Sequence, residues 1–261
     1  MLDKKYRLIF FLIDCSESVF NSRKTMGDYT NMSNYYDLIM TSGYYDYKKI
    51  VNELISCADF DNVLEIGCGT GLIIEELASR KKDIEITGID LTQAMLAIAR
   101  QRLNKFDHVT LAHQNVTGLT LNKEFDLAFS YGGVWYFVMD GVNEPFLVSH
   151  IYDEQENVNG LKRVADHVQK NGHLLLGVQG PHRDYQSPIT NGYEYSQTIL
   201  PLEHGFTKHY FLHDHDKKLM EQRIDYRTYS MTEALELLGS FGFKHQAATQ
   251  ALPQFQSFVK A

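Results

Sequence analysis

Cysteine is scarce: Cys15, Cys57 and Cys68 are spread over 261 positions with no Cys-x-x-Cys pair. An odd, widely spaced set argues against a disulfide framework or a structural zinc site and points to a reducing, cytoplasmic setting. Long apolar runs are missing too. The block at residues 8–13 is closed by Asp14, which makes it too short for a bilayer span or a signal-peptide core, and no clear small-residue cleavage site follows. Basic clusters are equally sparse. The longest is Arg80-Lys81-Lys82, and the formal net charge is −8, a balance that disfavours a sequence-independent grip on nucleic acid phosphates. Low-complexity segments and internal repeats are absent. With 44% hydrophobic and 22% charged residues, the chain can bury a sizeable core as one α/β domain with an appended lobe.

What the sequence does have is concentrated in Val63-Leu64-Glu65-Ile66-Gly67-Cys68-Gly69-Thr70-Gly71. Residues 61–66 read as a buried parallel strand, and residues 72–80 begin a helix rich in good helix formers. Between them the glycines let the backbone turn sharply and approach a ligand closely. A dinucleotide loop would space its glycines G-x-G-x-x-G around a pyrophosphate. Here the order is Glu65-x-Gly67-x-Gly69-x-Gly71, and the carboxylate would repel a pyrophosphate but suits a ligand carrying an amino group. This stretch resembles the first motif of the class I S-adenosylmethionine-dependent methyltransferases of small-molecule type.

The following segments extend the pattern. Residues 84–90 form an alternating strand ending in Asp90, an acid placed to accept hydrogen bonds from both ribose hydroxyls of an adenosine. Leu91 would wall the adenine and Thr92 would cap a helix over 93–103, with Met95 on its first turn facing the same ring. Gly88-Ile89-Asp90-Leu91-Thr92 and the helix after it resemble the second family motif. Residues 109–112 form a third strand. At the corner beyond it the family usually carries an acid for the adenine amino group, with the next backbone N–H on a ring nitrogen; here Asn115 and Val116 take those places, and an amide oxygen still accepts.

Residues 125–136 read as a fourth strand and the loop after it. Asp126 at its start is structural, whereas Ser130 onward faces the crevice at the carboxyl strand ends. Gly132-Gly133 leaves room for a bound molecule, and Tyr131, Trp135 and Tyr136 offer apolar faces with polar handles. The Asn/Asp-Pro-Pro-aromatic run of DNA-type N-methyltransferases is absent. A helix at 154–170 capped by Asn171-Gly172 leads into a fifth strand at 173–179, then to Gly180-Pro181-His182-Arg183-Asp184-Tyr185, again at a carboxyl strand end. Residues 181–205 are rich in turn formers and aromatics and lack long periodicity, which suggests a substrate lobe over about 181–230. Within it, residues 208–212 and 218–229 make a hairpin whose tip, His213-Asp214-His215-Asp216, reads as solvated rather than as a metal site. A helix at 232–241 and strands at 243–249 and 254–260 end the chain.

Upstream, the tyrosines from Tyr29 to Tyr47 resemble the cap of small-molecule methyltransferases, which closes over the methionine end of the cofactor; Tyr36 is the candidate contact. The cap spans residues 29–58, with a helix over 48–57. Residues 1–28 form an expected N-terminal extension of flexible character, with the first 25 residues open to being an upstream start.

The resemblance therefore implies an α/β fold: a doubly wound, mostly parallel seven-stranded sheet (Rossmann-like methyltransferase fold), with an antiparallel C-terminal hairpin and a small inserted substrate lobe. It implies S-adenosylmethionine bound by Tyr36, Glu65, Gly67, Cys68, Gly69, Gly71, Asp90, Leu91, Met95, Asn115, Val116 and Ser130. It leaves a small-molecule acceptor against Tyr131, Trp135, His182 and Tyr185, with His182 and Tyr136 as candidate catalytic groups, and neither metal, nucleic acid nor membrane as partner. A protein or RNA methyltransferase, a NAD-binding Rossmann oxidoreductase and a catalytically silent binding module are the alternatives.

Overall fold

The computed structural model describes residues 27–140, 143–247 and 254–261. Residues 1–26 of the expected extension, and the end of the strand expected at 243–249, lie outside the described residues. Two helices, α1 (Ser33–Met40) and α2 (Tyr47–Cys57), precede the alternation β1 (Asn62–Ile66), α3 (Leu72–Arg80), β2 (Glu85–Asp90), α4 (Gln93–Leu103), β3 (Val109–His113) and β4 (Phe125–Ser130). Next come β5 (Trp135–Val138), β6 (Phe146–Ser149), α5 (Glu154–His167), β7 (Val168–Gln179), β8 (Tyr185–Pro188), β9 (Glu194–Leu202), β10 (Gly205–Asp214) and β11 (Lys217–Tyr229). The chain closes with α6 (Met231–Gly239), β12 (Phe243–Gln246) and β13 (Phe255–Lys260). Among the described residues no helix is long and apolar enough to cross a membrane.

Local chemistry accounts for the starts. Asp46 caps α2 by accepting the Lys49 N–H at 3.0 Å, and Ser230 and Glu233 form a reciprocal capping box on α6. The apolar stripe of α2 (Ile50, Val51, Leu54) and that of α3 (Ile73, Ile74, Leu77) bury against β1 and β2 in one core. Asp126 does the structural work expected of it, accepting the N–H groups of Asp61 and Asn62 at 2.8 and 3.0 Å and so fixing where β1 begins.

The order β3-β2-β1-β4-β7 is parallel throughout, and the hairpin β12–β13 adds antiparallel to β7. These seven strands are the expected doubly wound sheet. The sheet reverses direction of growth between β1 and β4, which puts the ligand crevice at the carboxyl ends of β1, β2 and β4.

Three segments differ from the sequence reading. First, α5 ends at His167 and Val168 is already extended, so Asn171 (φ +65°) with Gly172 does not cap a helix. The pair forms a bulge where the pairing of β7 with β4 skips from Val168↔Phe125 to His173↔Leu127. Second, the expected turn-rich lobe is an antiparallel extension, β5-β6-β11-β10-β9-β8, joined to the main sheet where β5 pairs with the end of β7. The periodicity of β9 was hidden because inward positions alternate between apolar Tyr195 and Ile199 and polar Gln197. Strand β10 runs through His213 and Asp214, leaving only His215-Asp216 as the tip. Third, Trp135 does not lie in a loop. It starts a wholly buried strand held between β6 and β7.

Asn157 on α5 holds that strand in place. Its Oδ1 accepts from Trp135 Nε1 at 2.8 Å and from Ser149 Oγ at 2.6 Å, while Nδ2 donates to the carbonyls of Ile151 and Asp153. Asn157→Ala would remove four hydrogen bonds and leave the buried Trp135 indole N–H without its acceptor, while Ser149 Oγ keeps the Ile151 N–H and the Asp153 carbonyl keeps the backbone N–H of residue 157. A loss of about 3 kcal/mol or more is expected, seen as a lower urea midpoint with an unchanged slope.

Candidate active site

The site is built on the end of β1. Glu65 follows the apolar pair Val63-Leu64 near the end of β1, and the chain then turns through Gly67 (φ +74°) and Gly69 (φ +53°), conformations that side chains rarely tolerate. The N–H groups of Gly67 and Cys68 both donate to the Ile89 carbonyl at 2.9 Å, which ties the loop to β2. A Cβ on Gly67 would lie 3.0 Å from Gly133 Cα and 3.2 Å from Val134 N, so this glycine lets the loops after β1 and β4 touch. Gly67→Val should therefore cost both stability and cofactor affinity. Thermal melting and calorimetry with S-adenosylhomocysteine, both well below wild type, are the expected readings.

Asp90 ends β2 beside this loop. Its Oδ2 accepts the Gly69 N–H at 2.8 Å and its Oδ1 the Thr92 N–H at 2.7 Å, so the carboxylate is fixed in orientation with lone pairs still free toward the cavity. Burial raises its pKa against the lowering effect of those two N–H groups. Glu65 is more deeply placed, and among the described residues its Oε2 has no partner. Burial first, and then the charge of Asp90, hold it well above the carboxylate range. A buried acid in that state is set to ionise when a cation arrives beside it.

A cavity of about 660 Å³, counting its mouth, runs past Asp90, with Glu65 in a smaller recess beneath the same loop. Gly67 and Gly69 line one end; Leu91, Met95, Asn115 and Val116 line the other; Tyr29 and Tyr36 form part of its wall. The residues fit an elongated ligand with an ammonium near Glu65, a diol at Asp90 and an aromatic base between Leu91, Met95 and Val116. Asn115 Oδ1 already accepts the Thr117 N–H at 3.0 Å, capping the 3-10 turn Val116–Gly118, and keeps one lone pair for a ligand amine. The cap is tied to the glycine loop through Asp37 on α1. It accepts from Thr70 Oγ1 at 2.5 Å and is ion-paired with Arg102 on α4.

Residues 63–152 match the family model described as a methyltransferase domain, a stretch that carries the glycine loop, Asp90 and Asn115. The chain contains a methyltransferase domain. The chain is 34% identical over 95 residues to the malonyl-[acyl-carrier protein] O-methyltransferase of Acetivibrio thermocellus, covering 34% of this chain and 33% of that one. The chain thus matches about a quarter to a third of the length of these curated relatives. Its fold is that of an S-adenosylmethionine-dependent methyltransferase from Clostridium acetobutylicum ATCC 824, at TM-score 0.64 and 19% identity, covering 89% of this chain and 98% of that one. It is also that of a sugar N-methyltransferase from Streptoalloteichus sp ATCC 53650, at TM-score 0.63 and 15% identity, covering 96% and 99%.

In the methyltransferase domain the structure gathers Tyr36, Gly67, Gly69, Asp90, Leu91, Met95, Asn115 and Val116 around one cavity, with Glu65 and Cys68 in a smaller recess beneath the same loop. Other expected residues stand back from it. Gly71 caps α3, and a Cβ there would meet Leu103 Cδ1 at 2.7 Å, so its role is helix packing. Ser130 is fully buried and its Oγ accepts the Trp135 N–H at 3.4 Å; it supports the turn behind the cavity. Thr92 makes no side-chain cap on α4; its Oγ1 accepts the Tyr29 N–H. Trp135 is withdrawn as an acceptor contact, since it is fully buried on Asn157.

Tyr131, His182 and Tyr185 line a separate, more open pocket with Arg183 and Gln254. Among the described residues neither His182 nitrogen has a partner, and burial, with Lys208 and His150 adding to it, brings the imidazole down to about 2. An imidazole that weak is a poor general base. Tyr136 lines a second cavity, of about 360 Å³, that shares Tyr29, Tyr36, Gly132 and His150 with the cofactor cavity. Its hydroxyl is pushed well above the usual phenol range by burial.

His150 and Lys208 were not found by sequence reasoning. His150 follows β6 as a single polar residue after Phe146-Leu-Val-Ser, and nothing in that run marks it. Folding places its ring 4.8 Å from that of Tyr226 and 5.7 Å from those of Tyr29 and Tyr136. Among the described residues no group of three or more His, Cys, Asp or Glu could hold a metal ion.

Proposed function

We propose that the protein transfers a methyl group from S-adenosylmethionine to an N or O nucleophile of a small-molecule acceptor. The observation that carries this reading is the pair of cavities meeting at Tyr29, Tyr36, Gly132 and His150. One cavity fits the cofactor, and the other is small, aromatic and reached past the same residues. When bound, the cofactor supplies an electrophilic methyl on a sulfonium, which leaves as a neutral thioether as the acceptor's lone pair forms the new bond. The protein's share is alignment and exclusion of water. Glu65 and Asp90 would fix the two ends of the cofactor, and the Asp37–Thr70 contact would hold the tyrosine cap over its middle.

A small aromatic cavity and a net charge of −8 speak against a protein or RNA acceptor. Glu65, buried beneath the glycine loop, speaks against a pyrophosphate and so against a NAD oxidoreductase. The substrate lobe of this proposal is the antiparallel extension, and the setting proposed is cytoplasmic, with Cys57 and Cys68 as free thiols. Calorimetry against S-adenosylhomocysteine and NADH is the test: micromolar affinity for the first and none for the second is expected. Affinity for NADH alone would replace this reading with an oxidoreductase, and affinity for neither would favour the binding module.

A further inference from the structure

The inward face of β9, β10 and β11 is apolar or aromatic at most positions, yet Lys208 stands in its middle. It pairs in register with Ile199 and Ile224 and is only 2% exposed. Its Nζ lies 6.0 Å from the ring centres of Phe206 and Tyr210 and 5.6 Å from that of Tyr226. Among the described residues it makes no ion pair and no hydrogen bond. The titratable groups that face it are His150, His182 and tyrosine hydroxyls; none is an anion at neutral pH. The lysine lines the cavity that adjoins the cofactor cavity, and so does Tyr195, whose buried hydroxyl also lacks a partner.

A buried ammonium without a counter-charge is costly, and it persists where a ligand brings the charge. We infer that the acceptor is a small molecule bearing an anionic group, a carboxylate or a phosphate, seated against Lys208 in the aromatic cavity. This rests on the methyl-transfer reading and narrows its substrate class. The rings around Nζ favour the cation, and the unpartnered Tyr195 hydroxyl offers a second donor in the same cavity. The bases nearby fit as well. His150 is lowered to about 3 by burial and by Lys208, and the tyrosines are raised, so neither imidazole nor phenol can take a proton from a neutral alcohol. An acceptor that arrives already ionised needs no such help.

The test separates a metabolite extract by ion exchange into anionic, neutral and cationic fractions and incubates each with the protein and methyl-labelled S-adenosylmethionine. Label is expected in the anionic fraction. Lys208→Met should lower it by about tenfold or more, while S-adenosylhomocysteine affinity, which also reports folding, stays at the wild-type value. Lys208→Arg should restore part of the labelling. Pretreating the fraction with phosphatase divides the two sources: loss of label marks a phosphate, persistence a carboxylate. Label confined to the neutral or cationic fraction overturns the inference, the neutral case recasting Lys208 as a base. Wild-type labelling by Lys208→Met overturns it equally. Cofactor binding with no label in any fraction instead overturns the transfer reading on which it rests.

Discussion

Asp90→Ala is expected to weaken S-adenosylhomocysteine binding by about a hundredfold or more, measured by calorimetry, with a small change in melting temperature. Hydrogen bonds to a charged group contribute about 1.5–3 kcal/mol each, and a ribose diol offers two of them. The carboxylate also holds the Gly69 and Thr92 N–H groups, so alanine removes both the ligand contact and the anchor of the loop. Asp90→Asn separates the two effects. Its amide keeps one acceptor oxygen and the shape but loses the charge, and an intermediate affinity is expected. Wild-type affinity in the alanine variant would remove Asp90 from the site and with it the adenosine end of the cofactor assignment.

The cofactor half of the site was legible because its residues end strands. Each of β1, β2 and β4 is a short strand, and the residues at and just beyond its carboxyl end fall at one edge of a parallel sheet, so Glu65, Gly67, Gly69 and Asp90 could be placed together from order alone. The spacing of three glycines then distinguished the ligand. Ser130 and Trp135 failed for a reason that spacing cannot reveal. The chain after Gly133 re-enters the core as a strand, and four successive buried residues read the same way whether they line a crevice or sit behind it. Lys208 and His150 were illegible for a different reason. Lys208 shares the parity of the inward Phe206, Tyr210 and Leu212, but a charged side chain in an alternating strand reads as a solvated position, and nothing in the sequence marks it as buried. The proposed acceptor cavity is built from such cross-strand neighbours, whereas the cavity at the glycine loop draws on residues close together at strand ends.

Lys208→Met is expected to raise the melting temperature at pH 7 while it weakens acceptor binding. Burial brings the ammonium down from 10.5 to about 7. The folded-state value is thus below the unfolded one. As pH falls from about 10.5, the unfolded chain takes up a proton that the folded chain resists until about pH 7, and below that the destabilisation is complete. At about 1.36 kcal/mol per unit the cost has an upper bound near 5 kcal/mol; water reaching Nζ through the cavity reduces it, and about 2 kcal/mol is a realistic gain. For a chain of this size that corresponds to about 4–8 °C. Methionine matches the length of the stem and packs against the same rings. The gain should shrink steadily as melting is repeated from pH 7 toward pH 10, because a neutral lysine no longer carries the penalty. A gain that stays constant with pH would mean that packing alone separates the two side chains, and an unchanged melting temperature would mean that Nζ is hydrated in solution. The same unpaired charge that costs stability in the free protein is what an anionic acceptor would neutralise, so stabilisation by occupancy should be larger in the wild type than in the methionine variant.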